Sequence, residues 1–371
     1  MNYLQLPDSL VFNAFRELLC CGLWNRSPKD TLFHKLEQTH WQLIMRLSID
    51  QAVNGIVFSA IDKLPEELRP DKSLYLQWFA QVQHIKLYNR HLRKTWAELC
   101  EVLRLNGLEP VLMKGLGAST WYPDPLLRRQ GDLDVYIPHN YDKAIEVMML
   151  KAQLAHYGDE HDVFSFHEVT VELHRNGVYG LNGKDVINIE DEYGSYTIPN
   201  NEHNAVLLLQ HAAKHYFYVG LGLRHLCDWA LFLAQNSEST NFDYVIAQAR
   251  QKGFARFAKV FTHLAVSFLE LPSQYVFLHE DSPKLSKEVD FLLRQIICVG
   301  DFSKGQWQTS KHIFSNKRSF FSSLADIATY YYRGLVRLWG GYRWYPQMAR
   351  AKMFESFSNS LNFIKYKFSR K

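Results

Sequence analysis

The sequence predicts an α+β protein with a small sheet between two helical regions, and three observations predict it. Apolar residues recur at spacings of three and four through residues 1 to about 107, and again from about 200 onward, which is the period of helices with one buried face. Between these regions lie Pro110-Val111-Leu112-Met113, Leu133-Asp134-Val135-Tyr136-Ile137 and Val169-Thr170-Val171-Glu172-Leu173-His174, short apolar or alternating runs of the kind that form strands. The stretch YDKAIEVMMLKA between the last two has helical spacing, so helices alternate with strands around one layer. The division expected is 1–107, 108–200 and 201–371.

In the N-terminal region the helical stripe runs through Leu10, Phe12, Phe15, Leu18 and Leu19, then Trp41, Leu43, Ile44, Leu47 and Ile49. Pro65 and Pro70 mark a loop, ELRPDKS. A long helix is expected from about Ser73 to Leu105, stopped by Asn106-Gly107. In the C-terminal region NNEHNAVLLLQHAAKHYF starts with capping asparagines and carries Val206, Leu209 and Ala213 on one stripe. Further helices are expected near 222–235, 241–270, 284–300 and 320–340.

Composition narrows the function classes. The 371 residues are 47% apolar and 22% charged, with a net charge of only +4, so any basic nucleic-acid face has to be local. Five scattered cysteines without Cys-x-x-Cys spacing argue against a disulfide framework or a thiolate zinc site. The start, MNYLQLPDSLVFNAF, lacks a basic segment followed by an apolar run, and no apolar stretch is long enough to span a membrane. A cytoplasmic protein is the expectation. Neither a Walker A loop nor a dinucleotide fingerprint occurs.

The stretch that carries chemistry is VLMKGLGASTWYPDPLLRRQGDLDVYIP, residues 111–138. Side chains on a strand alternate, so Asp132 and Asp134 share one face, about 7 Å apart, while Leu133 and Val135 face the core. Two carboxylates so placed repel unless a cation joins them, and hard oxygen ligands suit Mg²⁺ beside a phosphate. Lys114, Arg128 and Arg129 add cationic donors within the same short stretch, and Gly115 permits close approach of backbone to ligand.

These residues resemble a family. Lys114-Gly115, Tyr122-Pro123, Arg128, Gly131-Asp132-Leu133-Asp134 and Glu172-Leu173-His174 look like the motifs of the uncharacterised nucleotidyltransferase family of the DNA polymerase β superfold. The segment from His211 to Leu233 is similar to that family's helical half, and the likeness spans roughly residues 35 to 235. The resemblance implies a polymerase β-like mixed sheet and transfer of a nucleoside monophosphate from an NTP, ATP first, to an acceptor hydroxyl. It implies two Mg²⁺ ions, with Mn²⁺ as substitute, held by Asp132, Asp134 and Glu172. Lys114, Gly115 and Arg128 would bind the triphosphate. Sixteen residues separate Gly115 from Asp132, more than the wider superfamily has, which leaves Ser119 as the candidate phosphate-contacting serine.

The resemblance also implies that the helix carrying His211 and His215 lines the acceptor pocket, which makes His174, His211, His215, Arg224 and Asp228 the candidates for it. His211 and His215 stand four apart on one helix face, and with His225 and Asp228 they suggest an alternative, a metal-dependent hydrolase site. Arg224 and Asp228, also four apart, would otherwise pair with each other. A second alternative is a nucleotide-binding module of the same fold without turnover. Residues 318–371 hold ten Lys or Arg against one Asp and one Glu, interleaved with Tyr330, Tyr331, Tyr332, Trp339, Tyr342 and Trp344. That stretch is read either as an RNA or membrane-surface contact or as a tail packed on its own domain. The sequence leaves the acceptor and the oligomeric state open.

Overall fold

The computed structural model describes residues 8–175, 181, 184–192, 194–218 and 220–299, with positions 342, 344, 346 and 348. Three helices come first: α1 (Ser9–Leu23), α2 (Gln38–Asp50) and α3 (Asn54–Ile61). The Asp8 carboxylate caps α1 by accepting from the Leu10 amide at 2.8 Å. The long helix predicted from the apolar spacing is α4 (Lys72–Leu105), capped by Asp71 and stopped at Asn106-Gly107, where Gly107 takes φ +70. Its two halves bury different surfaces. Leu74, Trp78 and Val82 join the helical core, whereas Leu92, Trp96, Leu99 and Leu103 cover the sheet.

The sheet is mixed and seven-stranded, in the order β3-β4-β5-β2-β1-β7-β6. Its strands are β1 (Val111–Met113), β2 (Leu133–Tyr136), β3 (Gln153–His156), β4 (His161–Phe166), β5 (Val169–His174), β6 (Val186–Asp191) and β7 (Gly194–Pro199). The centre holds the three strands read from the sequence: β1 pairs antiparallel with β2, and β2 pairs parallel with β5. Two short helices interrupt the strand order, α5 (Gly115–Ser119) after β1 and α6 (Tyr141–Lys151) after β2. One face of the sheet is dry: Leu133, Val135, Val171 and Leu173 pack with α4 and with Ala144, Val147 and Met148 of α6. The alternation that buries those residues turns Asp134, Tyr136, Glu172 and His174 to the other face.

The C-terminal helices are α7 (Asn201–Tyr218), α8 (Leu223–Asn236), α9 (Phe242–Gln251), α10 (Ala255–Leu269) and α11 (Pro283–Val299). The single helix expected over 241–270 is two, because the chain turns at Lys252-Gly253, where Gly253 takes φ +80. Helices from both ends of the chain build one core: Phe15 and Leu18 of α1 lie in the same cluster as Trp229 of α8 and Phe261 of α10. Leu43, expected on the buried stripe of α2, is 55% exposed.

Most of the basic aromatic stretch, and the helix expected at 320–340, lie outside the described residues. Trp344 belongs to the helical core, with its ring 5.5 Å from Tyr216 and 5.7 Å from Phe291. Among the described residues no helix is long and apolar enough to cross a membrane.

Candidate functional site

The carboxylates come together on the sheet face not covered by α4 and α6. Asp134 stands directly opposite Glu172 across the parallel β2–β5 pair, and Tyr136 opposite His174. Asp132 lies two residues before Asp134 in the segment entering β2, and that segment is tied down by α4. The Tyr88 hydroxyl donates to the Gly131 carbonyl at 2.6 Å, and the Asn89 amide donates to the carbonyls of Leu126 (2.7 Å) and Arg128 (2.8 Å).

Lys114 enters from the end of β1. Met113 is the register partner of Asp134, so the next residue leaves the sheet beside the carboxylates. It does so with φ +52 and ψ −127, a conformation a lysine adopts only under constraint. The buried ammonium donates to Asp134 Oδ1 at 2.5 Å, and His174 Nε2 donates to the same oxygen at 2.8 Å. Burial disfavours charge on Asp134, but Lys114 and His174 outweigh it and hold the carboxyl well below the usual range.

Glu172 and Asp132 behave oppositely. Burial, followed by the negative charges of Asp134 and Asp132, pushes Glu172 up to about 8. Burial and the charge of Asp134 also raise Asp132. One carboxylate is thus neutralised by protein cations, while two beside it are short of positive charge. Asp134 Oδ2 has no hydrogen-bond partner among the described residues. Carboxylate oxygens deficient in charge are donors of the kind a divalent cation of the Mg²⁺ type takes, and beside them His161 and His174 add imidazole nitrogens that lie within 4.8 Å of each other and of a Glu172 oxygen.

The remaining residues divide between this site and structural duty. Arg128, expected at the triphosphate, is buried and committed elsewhere. Its Nε and Nη2 donate to the two oxygens of Asp228, both at 2.7 Å, and its Nη1 donates to Gln130 Oε1 at 2.5 Å. Tyr122 completes that knot by donating to Asp228 Oδ1 at 2.6 Å. Arg224 therefore does not pair with Asp228. Its Nη1 donates to the Arg129 carbonyl at 3.2 Å, and its charge reaches Asp132.

Ser119 is buried in α5, where its hydroxyl donates to the Leu116 carbonyl and accepts from Arg93. Arg93 in turn pairs with Asp191. The hydroxyl is thus taken up by the α4–β6 side of the molecule rather than offered to a phosphate. Gly115 has a packing reason for lacking a side chain: a Cβ there would lie 3.0 Å from Gln130 Oε1 and 3.4 Å from Arg128 Nη1.

Two residues at the site were not singled out from the sequence. His161 sits opposite His174 across β4–β5, with its ring 5.0 Å from that of His174 and Nε2 3.6 Å from Glu172 Oε2. The alternating burial of β4 was the available signal. Gln130 is buried, and its Nε2 has no hydrogen-bond partner among the described residues. His211 and His215, expected at an acceptor pocket, lie together with His225.

A family model described as an uncharacterised nucleotidyltransferase matches residues 37–270 of the chain. Among solved structures, an antigenic nucleotidyltransferase-like protein from Paracoccidioides brasiliensis is similar at 14% identity. That match covers 48% of this chain and 92% of the other, with a TM-score of 0.31. No curated protein matches.

Proposed function

Since the chain belongs to this uncharacterised nucleotidyltransferase family, we propose that it transfers a nucleoside monophosphate from a nucleoside triphosphate to an acceptor hydroxyl and releases pyrophosphate. The observation that carries the proposal is the meeting of Asp132, Asp134 and Glu172 on one sheet face, with Asp134 and Glu172 in direct register and Glu172 and Asp132 starved of positive charge.

In this reading Asp132, Asp134 and Glu172 would hold Mg²⁺, which when bound would neutralise phosphate charge in the transition state. The acceptor oxygen attacks the α-phosphorus as the bond to the β-phosphate oxygen breaks, and pyrophosphate leaves. Glu172, in register with Asp134 on the neighbouring strand, would orient the acceptor hydroxyl and take its proton. His174, donating to Asp134, fixes the orientation of that carboxylate. Lys114 and Arg224 are the cations proposed to face the triphosphate, in place of Arg128, and Gln130 Nε2 is a further donor beside Gly115. Most of the rate would come from positioning and charge neutralisation.

The hydrolase alternative loses its carboxylate, since Asp228 is bound to Arg128 and Tyr122. The test of transfer is incubation with each α-phosphate-labelled NTP, Mg²⁺ and a cell extract as acceptor source. Label on an acceptor, absent with Asp132→Asn, is the expected result. Nucleotide-dependent stabilisation without any labelled product would instead identify a binding module.

A further inference from the structure

We infer that His211, His215 and His225 form a binding site for one divalent transition-metal ion of the zinc class, separate from the carboxylate site. The first two lie one turn apart on α7 and the third in the first turn of α8, so the α7–α8 connection folds the three rings onto one another. Ring centroids are 4.4 Å apart for His211–His215, 4.4 Å for His215–His225 and 5.5 Å for His211–His225. One nitrogen from each lies within 4.8 Å of the other two. A tetrahedral ion holding imidazoles at roughly 2.0–2.1 Å needs them about 3.4 Å apart. Side-chain rotations closing at most about 1.4 Å would suffice.

The hydrogen bonds prepare the rings for this. His215 Nδ1 faces the Gly220 carbonyl at 3.2 Å, and His225 Nδ1 faces the Gly222 carbonyl at 3.3 Å. A carbonyl only accepts, so each Nδ1 carries the proton and each Nε2 presents a lone pair. An imidazole oriented by a backbone carbonyl through its far nitrogen is the usual arrangement of a metal ligand. Burial and the neighbouring imidazole of His215 keep His211 and His225 neutral far below the ordinary histidine range, which is the ligating state. Mere core packing would not require three polar rings to converge at one point.

Nitrogen donors of this kind select Zn²⁺ and its neighbours rather than Mg²⁺. Three protein ligands leave one position of a tetrahedron for water or a substrate oxygen. The inference does not depend on nucleotidyl transfer, because it concerns different ligands and a different ion.

Cobalt(II), a visible stand-in for zinc, provides the test. Full-length protein is stripped with a chelator and titrated with Co²⁺ in excess Mg²⁺, reading d–d absorbance and thermal stability together. One equivalent should saturate both signals. His211→Gln and His225→Gln should each weaken binding by more than about 100-fold, while Asp132→Asn leaves it intact. Absence of Co²⁺ absorbance, unchanged binding in the histidine variants, or loss of binding in Asp132→Asn would overturn the inference. Should His225→Gln fail to fold by circular dichroism, His211, which is less buried than His225, decides the same question through His211→Gln.

Discussion

Asp134 and Glu172 face each other in register across two parallel strands, and they hold protons with opposite tenacity. Lys114 and His174 keep Asp134 ionised, whereas burial and both aspartates push Glu172 up to about 8 from an ordinary 4.5. The folded chain therefore binds a proton at Glu172 that the unfolded chain releases near 4.5. The contribution of this residue to stability is fully present below that pH and is lost as pH rises through about 8. Chelated protein should lose thermal stability between about pH 5 and pH 8. Glu172→Gln should flatten that slope and raise Tm at pH 8 by a few degrees, about 1–2 kcal/mol. Scanning calorimetry across that range checks it, and adding Mg²⁺ to the wild type should recover part of the loss.

The Lys114–Asp134 pair is buried on both sides, and breaking it should be costly. Lys114→Met leaves Asp134 with His174 as its one donor and should lower unfolding free energy by about 3–5 kcal/mol in a urea titration. The double variant with Asp134→Asn should be more stable than Lys114→Met alone, because no uncompensated charge remains.

The forked contact of Arg128 with Asp228 predicts a structural role for an arginine that lies in the signature stretch. Arg128→Lys keeps the charge but not the two parallel bonds. It should destabilise by about 2–3 kcal/mol, nearly as much as Arg128→Ala at about 3–5 kcal/mol. Nucleotide affinity measured on the folded fraction should change little. A large loss of affinity with unaltered stability would return Arg128 to the phosphate.

Gly115→Ala tests the same corner by volume. Its new methyl would press Gln130 and Arg128, which are buried and mutually bonded, at about 1–2 kcal/mol in a denaturant titration.

The central strands were legible because β2 and β5 alternate apolar core positions with polar ones. The four outer strands were not. Most of β3 is exposed, and both β6 and β7 carry exposed polar positions, so neither a buried run nor a clean alternation marks those three, whereas β4 does alternate and was passed over. Reading Asp132, Asp134 and Glu172 as one group needed only strand alternation and the family resemblance. Arg128 and Asp228 are 100 residues apart, and nothing local announces such a pairing. Asp228 looked like a partner for Arg224 or a metal ligand because helical spacing was the one geometry the sequence offered. Ser119 shows the same limit, since its partner Arg93 comes from a helix that precedes the motif.

A Mn²⁺ titration followed by electron paramagnetic resonance, with a non-hydrolysable NTP present, tests the central proposal most directly. It compares the wild type with Asp134→Asn and Glu172→Gln. The carboxylate reading predicts nucleotide-dependent Mn²⁺ binding in the wild type that falls by more than about tenfold in each variant. Equal Mn²⁺ binding in all three proteins, or none in the wild type, would contradict it.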